Sequence, residues 1–125
     1  MPIIVHANNF TQEVLNASGP VLVDFFGENC MPCKILQPIL VALSQDFTGL
    51  KFCMFSTDHD MLETKAEHEN QLSILIKYEI MNLPTLLLFV DGEVRASIVG
   101  MHSRDELLQF FRDQNVTLTP RLPAI

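Results

Sequence analysis

Two cysteines separated by two residues form the most reactive feature of the chain, in the segment Asn29-Cys30-Met31-Pro32-Cys33-Lys34. The pair follows an apolar, strand-like run and opens a helix-like run. Because a helix N-terminus favours negative charge and the thiolate is the reactive form of cysteine, we expect Cys30 to have a lowered pKa and to be the attacking thiol. Cys33 lies one turn further in, so as the resolving thiol it could attack Cys30 in a mixed disulfide and release the partner's sulfur. Pro32 falls in the first helical turn, where its missing N–H is harmless and its ring restricts the geometry of the motif.

Metal binding is the alternative use of such a pair. A structural zinc ion requires four ligands, and neither Cys53 nor the 4 histidines have zinc-site spacing relative to the pair. We therefore predict no metal and no other cofactor. The odd cysteine count also argues against a secreted scaffold held by disulfides, and Cys53, within an apolar run, is interpreted as a core residue.

Length and composition limit the possible classes of protein. The chain has 125 residues, which predicts a single domain over 1–125. A net charge of −7 with only 8 Lys and Arg argues against a nucleic-acid partner. The sequence contains neither an apolar run long enough to span a membrane nor a secretory signal pattern, so we expect a cytoplasmic monomer without membrane association.

The elements that must position the cysteines can be read from hydrophobic periodicity. Residues 21–26 form a continuous β-branched and aromatic run, typical of a central strand covered on both faces. Apolar residues at helical spacing follow the cysteines, with Pro38 inside the pattern predicting a kink. Before the central strand we expect a first helix, capped by Asn9 or Thr11. A strand at 52–56 should follow the helix that begins at the cysteines. A further helix, whose start the sequence does not define, is expected within 58–80.

The C-terminal part predicts a hairpin and a final helix. Two strands, 84–90 and 94–99, flank Asp91-Gly92, the dipeptide favoured in tight turns, and should pair antiparallel. Ser103 and Glu106 form a capping-box pattern that opens the last helix. The tail, 117–125, is expected to be irregular and mobile.

This order of elements, with the cysteines at the first helix of a βαβ unit, resembles the thioredoxin family. The resemblance covers about 4–115 and rests on five motifs in matched order: Val23-Asp24-Phe25, Cys30-x-Pro32-Cys33-Lys34, Pro38, Leu83-Pro84-Thr85-Leu86-Leu87-Leu88-Phe89, and Gly92-Glu93 followed by Val99-Gly100. It implies the α/β thioredoxin fold, a central mixed sheet of about four to five strands with helices on both faces.

Asp24 is unusual because a carboxylate in so apolar a strand is costly to bury. Solvation at the end of the strand is one interpretation. The resemblance implies another, in which the acid lies beneath Cys33 and acts as its general acid and base with a pKa raised by desolvation. The family usually places a lysine beside this acid, whereas this chain has Met54 or Phe55 there.

The resemblance also implies a substrate groove. The bond before Pro84 would be cis and face the cysteines, Leu83 would offer its backbone to a substrate strand, and Gly100 with Met101 would form the opposite lip. His102, beside this lip, is more simply interpreted as a surface residue at a helix start.

Departures from the family pattern lie around the cysteines. Asn29 and Met31 stand where the family has Trp and Gly, so we expect them to contact substrates and to alter which partners dock. The segment 58–77 is also longer than is usual in the family by about one or two helical turns. Its acidic side chains suggest a solvated helix face, with recognition of a partner as the alternative.

The function implied by the resemblance is reduction of protein disulfides through a reversible dithiol at Cys30 and Cys33, recharged by a reductase such as thioredoxin reductase. Two alternatives stay open at this point: a thiol oxidase or isomerase using the same cysteines, and a non-catalytic thioredoxin-fold binding module.

Overall fold

The protein is a mixed α/β fold, seen in a computed structural model that describes residues 2–59 and 62–122. Five strands form the main sheet in the order β1-β4-β2-β5-β6. Their bounds are as follows: β1 Ile3–Val5, β2 Pro20–Phe26, β4 Lys51–Ser56, β5 Thr85–Val90 and β6 Glu93–Val99. The helices are α1 Met31–Asp46, α2 Lys65–Lys77 and α3 Arg104–Asp113. The described helices include none that is long and apolar enough to cross a membrane.

The central strand is β2, as the sequence predicts. It pairs in parallel with β4 and antiparallel with β5, and β1 extends the parallel side of the sheet. Helices cover both faces of the sheet, which explains why β2 has almost no polar residue. Five consecutive residues of β2, from Val21 to Phe25, are buried, and Asp24 is the one ionisable residue among them.

The two faces of the sheet pack against different helices. Alternate residues of β2 project to opposite faces, so Leu22 packs with α1 and α3, whereas Val23 packs on the side of α2. The first layer buries Leu36, Leu40, Leu43, Leu107 and Phe111; the second buries Val5, Phe10, Val14, Phe25, Cys53, Phe55 and Phe89. The prediction that Cys53 is a core residue is thus confirmed.

Helix α1 runs through Pro38 and carries the cysteines at its start. Pro38 is exposed, and its missing N–H does not end the helix. Ile35, which belongs to the apolar pattern of this helix, is nevertheless 50% exposed, so it lies on the surface beside the cysteines and not in the core.

The hairpin and the last helix form as predicted. β5 and β6 pair antiparallel, and Asp91 and Gly92 between them adopt φ of 53° and 82°, the left-handed conformation that such a turn requires. Ser103 accepts a hydrogen bond from the Glu106 backbone and donates its own backbone N–H to the Glu106 carboxylate, which completes the capping box.

Two local predictions need correction. The expected first helix is only a π-helical turn, Thr11–Leu15, which follows Phe10 and has no side-chain cap from Asn9 or Thr11. The helix predicted within 58–80 is confirmed, and its start, which the sequence left undefined, is Lys65, where the Thr64 hydroxyl accepts a hydrogen bond from the Glu67 backbone. Asp60 and Met61 of that stretch lie outside the described residues.

The tail is the second correction. Thr119–Pro120 (β7) pairs antiparallel with Phe47–Thr48 (β3), and the Arg121 backbone donates to the Asp46 carbonyl at 2.8 Å. The expectation of an irregular tail is therefore wrong for this part, because the end of α1 offers a short unpaired strand. Residues 123–125 of the predicted tail lie outside the described residues.

Candidate active site

The dithiol sits at the N-terminus of α1. Cys30 is the N-cap of the helix, and its Sγ accepts a hydrogen bond from the backbone N–H of Cys33 at 3.2 Å. The first N–H groups of a helix have no partner within the helix, so a sulfur at this position is favoured in its negative form. The two cysteines are joined as a disulfide with a Cα–Cα distance of 5.2 Å, which is the oxidised state of the pair.

The two sulfurs differ in exposure. Cys33 is only 3% exposed, whereas Cys30 is half-buried and is followed by the exposed Met31 and Pro32 in the first turn. An incoming disulfide can therefore approach Cys30 from solvent, while Cys33 is covered by the protein. This arrangement suits the predicted order of attack and resolution.

Asp24 is buried on the face of the sheet that α1 covers. It is 1% exposed, and neither carboxylate oxygen has a hydrogen-bond partner in the described part of the chain. Desolvation raises the pKa of Asp24 from 3.8 to about 7. The interpretation of Asp24 as a solvated residue at a strand end is therefore wrong. Its neighbours in the sheet are Met54 on β4 and Leu86 on β5, both apolar.

Met54 occupies the place where the family usually has a lysine. Met54 pairs with Asp24 in register, whereas Phe55 packs in the opposite layer. Of the two residues considered for this place, Met54 is therefore the one beside the acid. The side-chain amide of Gln37 contacts the Met54 sulfur at 3.7 Å. Gln37 follows Cys33 by one helical turn, and both line a cavity of about 370 Å³ with Phe26, Gly27, Glu28, Lys34 and Asp58.

The predicted groove residues lie on two adjoining loops. The Leu83–Pro84 bond is cis, as the resemblance implies, and the Pro84 carbonyl accepts from the Gly100 backbone at 2.8 Å. The hydrogen bond from Gly100 places the next residue, Met101, beside the Pro84 loop, and Met101 is 43% exposed. Leu83 also approaches the segment before Cys30, because a Cβ on Gly27 would meet its Cδ1 at 3.0 Å.

Other candidate residues lie at the edges of this region. Asn29 is exposed, and Met31 is 64% exposed. His102 is half-buried, with its Nε2 at 3.2 Å from the Val99 carbonyl oxygen and its Nδ1 at 3.8 Å from the Glu106 carboxylate. These contacts hold His102 within its own helix start, in agreement with the simpler interpretation.

Sequence reasoning missed Asp58, which contacts the segment leading to Cys30. Its carboxylate accepts a hydrogen bond from the Glu28 backbone at 2.8 Å. A signal was present, since Asp58 lies two residues after the end of β4, and parallel strands such as β2 and β4 end at the same edge of a sheet. Gln37 was also missed; only its position one turn after Cys33 could have indicated it.

Comparisons with known proteins agree with this geometry. The family model for thioredoxin matches residues 1–113. Thioredoxin of Pseudomonas aeruginosa is 41% identical over 109 residues, covering 86% of this chain and 90% of the relative. Thioredoxin C-2 of Corynebacterium nephridii is 42% identical over 108 residues, with the same coverage of 86% and 90%.

A solved structure shows the same fold. Thioredoxin f2 of Chlamydomonas reinhardtii superposes with a TM-score of 0.76 at 22% identity, covering 91% of this chain and 96% of that one. The chain, whose Cys30–Cys33 pair fits a Cys-x-x-Cys redox centre, therefore belongs to the thioredoxin family and is a protein-disulfide reductase of the thioredoxin type.

Proposed function

We propose that the chain reduces disulfides of partner proteins by a two-step exchange at Cys30 and Cys33. The Cys30 thiolate attacks one sulfur of the partner's disulfide, forms a mixed disulfide and releases the other partner sulfur as a thiolate. Cys33 then loses its proton and attacks Cys30 Sγ, which releases the second partner thiolate. Two electrons pass from the dithiol to the partner, and the chain is left with the Cys30–Cys33 disulfide.

The hydrogen bond from the Cys33 backbone to Cys30 Sγ carries this proposal. The bond is present in the disulfide form. At the N-terminus of a helix of 16 residues, the same N–H would stabilise negative charge on the half-buried sulfur once the pair is reduced. This stabilisation raises the fraction of Cys30 that is present as the attacking thiolate near neutral pH.

Asp24 is the proposed general base for Cys33. Its pKa of about 7 leaves both protonation states populated near neutral pH. Such a group can accept the Cys33 proton during resolution and return a proton during the reverse exchange. Asp24 faces the layer beneath α1, the helix that also holds Cys33.

The proposed substrate is an extended segment on either side of a disulfide. It would lie between the Leu83–Pro84 loop and the Gly100–Met101 loop and would pair with the Leu83 backbone. Met31 and Met101 offer exposed thioethers that adapt to different apolar contacts. Asn29 would contact the substrate in place of the indole usual in the family.

A dedicated reductase is the proposed electron donor, and thioredoxin reductase is the first candidate. This cycle requires a compartment in which thiols are kept reduced, so a cytoplasmic location and a role in cellular redox homeostasis belong to the proposal. We also propose that the chain acts as a monomer, since each step uses residues of one chain.

Reduction of insulin disulfides with dithiothreitol tests the reaction. We expect the wild-type chain to accelerate precipitation of the insulin B chain, and Cys30→Ser, as matched control, to give no acceleration. Equal rates for both proteins would remove the enzyme role. A strongly oxidising potential measured against glutathione would contradict the reductive direction.

Turnover with NADPH and a thioredoxin reductase tests the donor. Activity with dithiothreitol but none with this reductase would point to another donor. In that case Asn29→Trp and Met31→Gly, which restore the family residues, should identify the surface that the reductase fails to recognise.

A further inference from the structure

Gln71 is a buried polar residue on a helix whose surface is otherwise largely exposed. It is 3% exposed and projects from α2 towards the loop that follows β4. Its side-chain Nε2 donates two hydrogen bonds, to the Ser56 carbonyl and to the Asp58 carbonyl, both at 3.0 Å. Both bonds end on the backbone of one short segment, so the amide fixes the path of residues 56–58.

The other half of the same amide is left unsatisfied. Gln71 Oε1 is buried and finds no hydrogen-bond partner in the described part of the chain. A buried polar atom without a partner costs free energy, and a leucine or methionine of similar size would avoid that cost. Space filling therefore does not account for Gln71, whereas its two donated bonds do.

The segment held by Gln71 in turn holds the segment before the cysteines. Asp58 Oδ2 accepts the Glu28 backbone N–H at 2.8 Å, and the Ser56 hydroxyl contacts the same oxygen at 3.3 Å. One residue earlier, Thr57 donates its backbone N–H and its hydroxyl to the Phe26 carbonyl at 2.8 and 3.0 Å. The end of β2 is thus tied to the end of β4 beyond the last paired residues of the two strands.

This connection reaches both sides of the redox centre. Glu28 precedes Cys30 by two residues, so the Glu28 N–H bond limits how the chain enters α1. Gly27 lies between Thr57 and Leu83, since a Cβ there would be 3.5 Å from Thr57 Oγ1 and 3.0 Å from Leu83 Cδ1. A shift of residues 56–58 would therefore move the turn that presents the attacking sulfur relative to the proposed groove.

We propose that Gln71 is a positioning residue for disulfide exchange: it fixes Asp58, whose carboxylate fixes the Glu28 N–H and hence the turn that sets Cys30 at the N-cap of α1. Gln71 touches neither substrate nor sulfur and acts through Asp58. The inference rests on the proposed role of Cys30 as attacking thiol.

The Cys30 pKa in two variants distinguishes a positioning effect from a direct effect of charge. Gln71→Leu changes no charge, so a shifted Cys30 pKa in that variant would report altered geometry at the helix N-terminus. Asp58→Ala removes a negative charge near the sulfur, which by itself would lower the Cys30 pKa. If the two residues position the turn, the Cys30 pKa should instead rise in both variants, because a sulfur displaced from the N-cap loses its hydrogen bond from Cys33.

The test measures alkylation of reduced Cys30 by iodoacetamide as a function of pH, together with kcat and KM for insulin reduction. We expect Gln71→Leu and Asp58→Ala each to slow alkylation at pH 7 and to lower kcat/KM by about 5- to 20-fold, since small displacements of reacting groups have effects of this size or larger. The midpoint of the pH profile should move upward. The double variant should be no slower than the slower single variant, because both residues act along one connection.

Ser73→Ala is the matched control on α2. Ser73 is exposed, and its hydroxyl donates to the Glu69 carbonyl of its own helix, so its loss should leave both readouts at wild-type values. A lower melting temperature for Gln71→Leu with an unchanged pH profile and unchanged kcat/KM would overturn the proposal, because a purely structural role predicts that result.

Asp58→Ala keeps the test decisive if Gln71→Leu fails to fold, since Asp58 is only half-buried. A downward pKa shift or wild-type rates in Asp58→Ala would also overturn the proposal. Failure of the proposed function looks different: the wild-type chain itself would then show no low-pKa thiol and no insulin reduction.

Discussion

Asp24 and Met54 are directly paired on the adjacent parallel strands β2 and β4, so their side chains project from the same face of the sheet. The Met54 sulfur is in turn contacted by the Gln37 amide at 3.7 Å. The buried acid therefore has a neutral thioether at its side, and desolvation alone determines the direction of its pKa shift. Because no cationic side chain among the described residues offsets this desolvation, a substantial fraction of Asp24 is still protonated near pH 7.

Replacing Met54 by lysine should reverse part of this shift. A cation beside a carboxylate favours the ionised form, so we expect Met54→Lys to lower the pKa of Asp24 from about 7 by about one to two units. Titration of the Asp24 side-chain carbon by NMR measures the change directly. Met54→Leu, which keeps the volume without the charge, is the control and should leave the pKa near its wild-type value. Coincident titration curves for both variants would show that Asp24 and Met54 do not interact.

The raised pKa of Asp24 also makes stability depend on pH. Between the unfolded value of 3.8 and the folded value of about 7, the folded state holds a proton that the unfolded state has lost, so wild-type stability falls as pH rises through this window. A difference of about three units corresponds to about 4 kcal/mol at most. Asp24→Asn does not titrate. Its stability relative to wild type should therefore increase from pH 4 to pH 7 and become constant above about pH 8.

Denaturant unfolding of both proteins across this pH range measures the effect. Asn keeps the size of the side chain, so any constant cost of its buried amide adds an offset without changing the slope. A stability difference that does not vary with pH would contradict the raised pKa.

The same substitution should slow the second chemical step. Asp24→Asn removes the proposed base for Cys33 while leaving Cys30 and its helix N-terminus intact, so attack on a substrate should proceed and the mixed disulfide should accumulate. General base catalysis typically contributes on the order of 10²- to 10⁴-fold, and a solvent base should replace part of it at high pH. Rapid-quench analysis of the mixed disulfide at pH 7 and pH 9 tests this. An unchanged rate of resolution at pH 7 would remove the role of Asp24.

The elements that position the cysteines could be predicted from local signals. Asp91-Gly92 and the Ser103 and Glu106 pair each determine a turn or a cap within a few residues, and both form as predicted. The continuous apolar run of β2 likewise indicated a strand covered on both faces. Such features depend on the chain's nearest neighbours in sequence, and sequence patterns report these well.

Features that depend on distant residues could not be predicted in the same way. The Thr119–Pro120 strand forms only because Phe47–Thr48 lies beside it, and nothing within the tail indicates that partner. The Asp58 contact with Glu28 spans 30 positions, and Gln71 reads in sequence as one more polar residue of a solvated helix. The sequence therefore predicted the reactive pair, Cys30 and Cys33, but not the supporting residues Asp58 and Gln71.

Cys53 provides a test of the distinction between reactive and structural thiols. It is 2% exposed and packs in the layer opposite α1, next to Val23 and Phe55. Desolvation raises the pKa of Cys53 to about 11. The charges of Lys51 and Glu13 have smaller effects: Lys51 lowers this pKa and Glu13 raises it. At pH 8 only about one molecule in a thousand would carry the Cys53 thiolate.

We therefore expect iodoacetamide at pH 8 to label Cys30 of the reduced native protein and to leave Cys53 unmodified over the same period. Peptide mass spectrometry after brief reaction measures both sites in one sample. In guanidinium chloride the difference should disappear, because unfolding removes both the helix N-terminus around Cys30 and the apolar layer around Cys53. Labelling of Cys53 at a rate comparable to Cys30 in the native protein would mean that β4 opens to solvent, and the pairing of Asp24 with Met54 would then not persist in solution.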